Sequence, residues 1–111
     1  MKYELKLDID SRKLPEKEIA KRLYYIRKIL KYTKLYTFKN RTKHGWHIRI
    51  VFHSDVELDD KDIVFLQLLL LSDYKREIFG WMRIRSGIKS KWNVLFSAKT
   101  DSNGKVISNE R

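Results

Sequence analysis

The amino-acid sequence predicts an α+β fold, and three observations carry that reading. Lys2 to Asp10 alternates apolar and charged residues, the period-two mark of a half-buried strand. Ile19, Leu23, Ile26 and Leu30 then recur at helical spacing. Trp46 to His53 alternates again behind a polar turn. The 111 residues suffice for one core and one domain. That domain is expected over residues 1–99, with 100–111 a polar, flexible tail.

In the first strand Tyr3, Leu5, Leu7 and Ile9 share the inner face, and Lys2, Glu4, Lys6, Asp8 and Asp10 the outer one. Leu14-Pro15 opens the first helix, because proline is tolerated in a first turn and Glu16 and Glu18 suit the positive end of the dipole. Lys28 and Lys31 suit its other end. Lys34 to Lys39 reads as a short second strand, Asn40 to Gly45 as a polar turn, and Trp46 to His53 as the third strand. There Trp46, Ile48, Ile50 and Phe52 point inward, and His47, Arg49, Val51 and His53 outward. Asp59 or Asp60 caps a helix from about Lys61 to Leu71 that is apolar almost all round and so expected to be buried. Ser72-Asp73 breaks it and caps another helix, Tyr74 to Arg85. Trp92 to Ala98 reads as a last strand.

The order β-α-β-β-α-(α)-β resembles the split βαβ, or ferredoxin-like, arrangement that RNA-recognition motifs also use. It implies a four-stranded antiparallel sheet with helices on one face. Its first and third strands would lie side by side, bringing Asp8 and Asp10 next to His47 and Arg49.

The chain holds 25 Lys and Arg against 14 Asp and Glu, a net charge of +11. Such an imbalance attracts polyanions, of which nucleic acid is the commonest and an anionic membrane surface the competitor. The longest apolar run, Ile63 to Leu71, is too short to span a bilayer, so no membrane partner is expected. Where it is left uncovered it is a candidate homodimer surface. There is no cysteine, which excludes disulfides and thiolate metal sites. The alternating N-terminus is unlike a signal peptide, and a cytoplasmic location is expected.

Two basic clusters mark the expected nucleic-acid contacts. Lys34, Lys39, Arg41, Lys43 and Arg49 occur without an acid among them; Lys75, Arg76, Arg83, Arg85, Lys89 and Lys91 face only Glu77. All but Lys34 of these form the binding set with Lys6 and His47, because Lys and Arg neutralise phosphates and nearby rings can stack on unpaired bases. Binding of this kind requires no cofactor.

Asp8 and Asp10 are two carboxylates on one face of a strand, the donor set that Mg²⁺ favours alongside phosphates and water. Asp10-Ser11 equally suits a plain strand end. Lys6-Leu7-Asp8-Ile9-Asp10 and the segment Arg41 to Ile50, with Gly45-Trp46-His47, resemble the catalytic core of archaeo-eukaryotic primases, which carries Asp-x-Asp on one strand and Gly-x-His on a later one. The resemblance implies that Asp8 and Asp10 hold Mg²⁺ or Mn²⁺ and that His47 contacts an incoming nucleotide. It covers about half the chain. For the family's third motif, an Asp on a later strand, Asp55 and Asp73 are the nearest candidates, and neither lies on a predicted strand. The segments around Ser72 to Arg76 and Val94 to Lys99 also resemble small proteins of archaeal viruses and plasmids.

Three functions are therefore expected, in this order. The first is a small nucleic-acid-binding protein acting in replication or its regulation. The second is a reduced, metal-dependent nucleotidyltransferase or nuclease core with Asp8, Asp10 and His47 as catalytic residues. The third is a structural or protein-interaction module.

Overall fold

The computed structural model describes residues 1–88, 92–96 and 109–110. The elements are β1 (Lys2–Ile9), α1 (Glu16–Leu30), β2 (Thr33–Arg41), β3 (Trp46–His53), α2 (Asp60–Leu69), α3 (Tyr74–Arg85), β4 (Leu95–Phe96) and β5 (Asn109–Glu110). The expected α+β class and element order are present. Pro15 stands at the N-cap of α1, and Lys31 closes it in the left-handed conformation with φ 49°. Asp59 caps α2 through a reciprocal box with Asp62, and Asp73 caps α3.

The main sheet runs β1-β3-β2, with both pairings antiparallel. β1 and β2 are thus parallel to each other on either side of β3. Leu5, Leu7 and Ile9 of β1 and Ile48, Ile50 and Phe52 of β3 are buried beneath Ile19, Ile26 and Leu30 of α1 and Ile63, Val64, Leu66 and Leu70 of the α2 segment. One face of the sheet therefore carries the core.

Three expectations need correction. Among the described residues the sheet has three strands, and the expected fourth is absent from it: β4 pairs with β5 instead. The physical reason lies at the outer edge of β1, where three side chains and the Asp73 backbone N–H occupy the positions a neighbouring strand would take. The Lys6 N–H donates to Gln67 Oε1 at 2.9 Å, and the Lys6 carbonyl accepts from Arg76 Nη1 at 2.9 Å. The Asp8 N–H donates to Ser72 Oγ at 3.0 Å, and its carbonyl accepts from the Asp73 N–H at 2.6 Å. Second, α2 is not buried all round: Phe65, Leu68 and Leu69 are exposed. Third, the polar turn is shorter than expected, because β2 continues through Arg41.

One glycine has a steric reason. A Cβ on Gly45 would sit 1.8 Å from the Ile9 carbonyl oxygen, so only glycine lets the β2–β3 turn cross the end of β1. Gly80, inside α3, packs beside the Trp92 ring, where a Cβ would make an ordinary contact at 3.4 Å. No helix among the described residues is long and apolar enough to cross a membrane.

Candidate nucleic-acid interface

The sheet face opposite the helices is laid out in cross-strand rows. Glu4, Val51 and Tyr36 form one row, Lys6, Arg49 and Phe38 the next, and Asp8, His47 and Asn40 the third. Alternation puts these side chains on the same face. Two of them are rings left open to solvent: Tyr36 is 61% exposed and Phe38 52%. Arg49 lies over the Phe38 ring at 5.7 Å and donates to Glu4 Oε1 from Nε at 3.2 Å and from Nη2 at 3.0 Å. Aromatic rings, a guanidinium and an amide side chain thus share one uncovered surface.

The candidate residues named from the sequence fall into separate groups. Arg49 and Lys6 lie on this face, Lys6 donating its ammonium to the Asn93 carbonyl at 3.0 Å. Lys39 points to the helical side and pairs with Glu16 at 2.7 Å. Arg41 lies 5.3 Å over the Trp46 ring on that same side. Lys43 is exposed in the β2–β3 turn, and Lys75 and Arg85 are exposed on α3. Arg83 donates to the Trp92 carbonyl at 3.3 Å. Lys89 and Lys91 fall outside the described residues, as do residues 97–108 of the expected strand end and tail.

Arg76 is tied into the fold. It donates to the carbonyls of Lys6 and Val94 and to Asn93 Oδ1, and it pairs with Glu77. Glu77, only 1% exposed, also accepts from Gln67 at 2.6 Å and Ser72 at 2.7 Å. Gln67 and Asn93 exchange amide hydrogen bonds at 3.1 and 2.8 Å. Among the described residues no buried side-chain nitrogen or oxygen lacks a partner. The cluster is a closed network, and closure is what makes a buried charge tolerable.

Asp8, Asp10 and His47 do come together. They line a cavity of about 260 Å³ with Thr42, His44, Gly45 and Asp73. His47 was expected at the surface, yet it is 4% exposed. Its Nε2 is 3.7 Å from Asp8 Oδ1. Burial pushes the Asp8 carboxyl above its usual range; His47 and Arg76 pull it down, and the Asp73 and Asp10 charges push it further up. Asp73 joins this site although it lies on no strand, since it is the N-cap of α3 and its N–H binds the Asp8 carbonyl. Among the described residues no group of three His, Asp or Glu side chains is arranged to hold a metal ion.

Tyr36 and Phe38 did not emerge as candidates from the sequence. The signal was present: residues 35–40 alternate, with Leu35, Thr37 and Lys39 on one side and Tyr36, Phe38 and Asn40 on the other. Which side stays open depends on where α1 packs. No protein-family model, curated protein or solved structure matches this chain.

Proposed function

We propose that this protein binds single-stranded nucleic acid on the open face of its sheet. The observation that carries the reading is the pair of exposed rings, Tyr36 and Phe38, two residues apart on β2 and beside Arg49. Solvent-exposed rings on a strand are a stacking platform for unpaired bases, and a duplex offers no free base face to them. The net charge of +11 supplies the attraction to phosphate. Arg49 borders the Phe38 ring, Lys6 lies beyond it in the same cross-strand row, and Lys43 is exposed in the β2–β3 turn. The β1-β3-β2 order supports reading the sheet as the centre of a ferredoxin-like, RNA-recognition-like arrangement.

The experiment is fluorescence anisotropy with labelled single- and double-stranded DNA and RNA across a salt series. Single strands should bind more tightly than duplexes. Log affinity should fall linearly with log salt, by roughly 0.7 per phosphate contact on single strands. Equal affinity for duplex, or an unchanged affinity in the Tyr36→Ala, Phe38→Ala double variant, defeats the reading.

A second reading rests on the Asp8, Asp10, Asp73 and His47 cavity. Mg²⁺ or Mn²⁺ held by two carboxylates, water and a substrate phosphate would neutralise charge in a primase-like nucleotidyl transfer. Metal-dependent incorporation or cleavage that disappears in Asp8→Asn would support it. No activity with either metal would leave binding alone.

A further inference from the structure

We infer that the cleft between the C-terminal end of α1 and the start of β2 is a second nucleic-acid subsite, one that takes phosphates of the same single strand whose bases stack on Tyr36 and Phe38. The inference rests on the single-strand reading above. The cleft holds about 450 Å³ and is lined by Tyr24, Arg27, Lys28, Lys31, Tyr32 and Thr33. Its three cations are exposed, and from Ile19 to Ser54 the chain has no Asp or Glu. Elsewhere on α1 and the sheet, cations with an acid in reach have taken it: Arg22 pairs with Glu18, Lys39 with Glu16 and Arg49 with Glu4. Among the described residues no carboxylate pairs with Arg27, Lys28 or Lys31.

Local structure does not consume this charge. A helix C-terminus favours cations because its last carbonyls lack partners. Here the Arg27 carbonyl accepts the Lys31 N–H at 2.7 Å, and the Leu30 carbonyl accepts from Ser54 Oγ at 2.8 Å. The cationic side chains lie over rings instead. Lys28 Nζ is 4.6 Å from the centre of the Tyr24 ring and 5.4 Å from that of Tyr25, and Arg27 lies 6.0 Å over Tyr32. Tyr32 is itself fixed by donating its hydroxyl to the Leu23 carbonyl at 3.0 Å. A ring face orients a cation without neutralising it. Oriented, uncompensated cations around one cleft suit a phosphate backbone.

The cleft also continues the open face of the sheet. Thr33 is aligned with His53 and Lys2, in the cross-strand row beyond that of Tyr36, Val51 and Glu4. The register shifts between Thr33 and Tyr36, where Lys34 takes a left-handed φ of 53°. That irregularity sets Thr33 opposite His53 as Tyr36 is set opposite Val51, and opposed residues share a face. Thr33 thus belongs to the open face and to the cleft wall, within roughly 10 Å of Tyr36 along the strand. A strand lying on Tyr36 and Phe38 reaches the three cations by passing over the start of β2.

Fluorescence anisotropy of the full chain with thymidine oligomers of about four and about twelve nucleotides tests the inference. Arg27→Gln, Lys28→Gln changes two exposed helix positions, so its circular dichroism spectrum should match the wild type. The expected result is wild-type affinity for the short oligomer, which Tyr36 and Phe38 can hold, and a loss of about tenfold on the long one. The salt slope on the long oligomer should fall by about 1.4, from two contacts at roughly 0.7 each. Lys13→Gln, Lys17→Gln removes the same charge from the other end of α1 and should leave both affinities close to wild type. Long-oligomer affinity that is unchanged in the first variant, or that falls equally in both, overturns the subsite. So does a loss confined to binding of phosphatidylserine vesicles, which would assign the cations to a lipid surface. A wild type that binds neither oligomer defeats the single-strand reading and this inference together. Binding that is lost in Tyr36→Ala, Phe38→Ala and kept in Arg27→Gln, Lys28→Gln defeats the subsite alone.

Discussion

Gln67 accepts the Lys6 backbone N–H at 2.9 Å, across 61 residues of sequence, where a neighbouring strand would have placed a carbonyl. The same side chain donates to Glu77 and is locked by Asn93, so its amide orientation is fixed on three sides. An edge strand normally presents unpaired backbone groups that invite further pairing. Here α2 and α3 finish the edge with Gln67, Ser72, Asp73 and Arg76. That closure also brings Asp73 next to Asp8.

Glu77 is the keystone of this edge. Removing its carboxylate in Glu77→Ala leaves the Arg76 guanidinium largely buried without its counter-charge, a loss of about 3–5 kcal/mol. Urea denaturation followed by circular dichroism should show a correspondingly lower midpoint. An unchanged midpoint would mean that Arg76 finds water or another acceptor at no cost.

Ser72→Ala tests the edge from the other end. It removes the acceptor of the Asp8 N–H and a donor to Glu77 in one step. An unsatisfied buried donor costs about 1–3 kcal/mol. Hydrogen exchange of the Asp8 amide should accelerate more than that of amides paired between β1 and β3.

Asp8 makes a pH-dependent prediction. Burial raises its folded-state pKa above the ordinary 3.8, so the folded chain holds that proton more tightly than the unfolded one. The contribution to stability is complete below 3.8 and is lost as pH rises through the raised value. At neutral pH the half-buried carboxylate opposes folding, and Asp8→Asn should stabilise the protein. The gain should vanish below the ordinary carboxyl pKa. Urea midpoints of wild type and variant between neutral and acid pH would show this, and a variant less stable at neutral pH would contradict it.

The exposed rings should matter for binding and little for stability. Tyr36→Ala and Phe38→Ala should each weaken single-strand affinity by about 1–3 kcal/mol, the usual worth of a base stack. Their thermal transitions should stay close to wild type. Glu4→Gln should strengthen binding, because it releases Arg49 from a neighbouring carboxylate.

Much of the fold was legible because its signals are local. Period-two alternation marked β1 and β3, and Asp59 or Asp60 and then Ser72-Asp73 announced the starts of α2 and α3. The site was legible in part. Asp8 and His47 face each other because strand adjacency follows from the element order, and Asp10 shares their cavity. The burial of His47 was not legible, since strand alternation gives the face a side chain takes and not whether that face is covered.

By itself, then, the sequence determined the α+β class, the positions of most elements, the pairing of β1 with β3 and the excess of positive charge. The class, the elements and the charge follow from periodicity, capping and composition, all properties of neighbouring residues, and the β1–β3 pairing from the resemblance of the element order to the split βαβ arrangement. Only the tertiary structure decided that, among the described residues, groups of the α2 and α3 segments rather than a fourth strand close β1, that Arg76 holds the fold, and that Tyr36 and Phe38 stay in solvent. Each depends on which groups meet across the core, and the free energy of a buried hydrogen bond or an uncovered ring is set by partners that chain order does not specify.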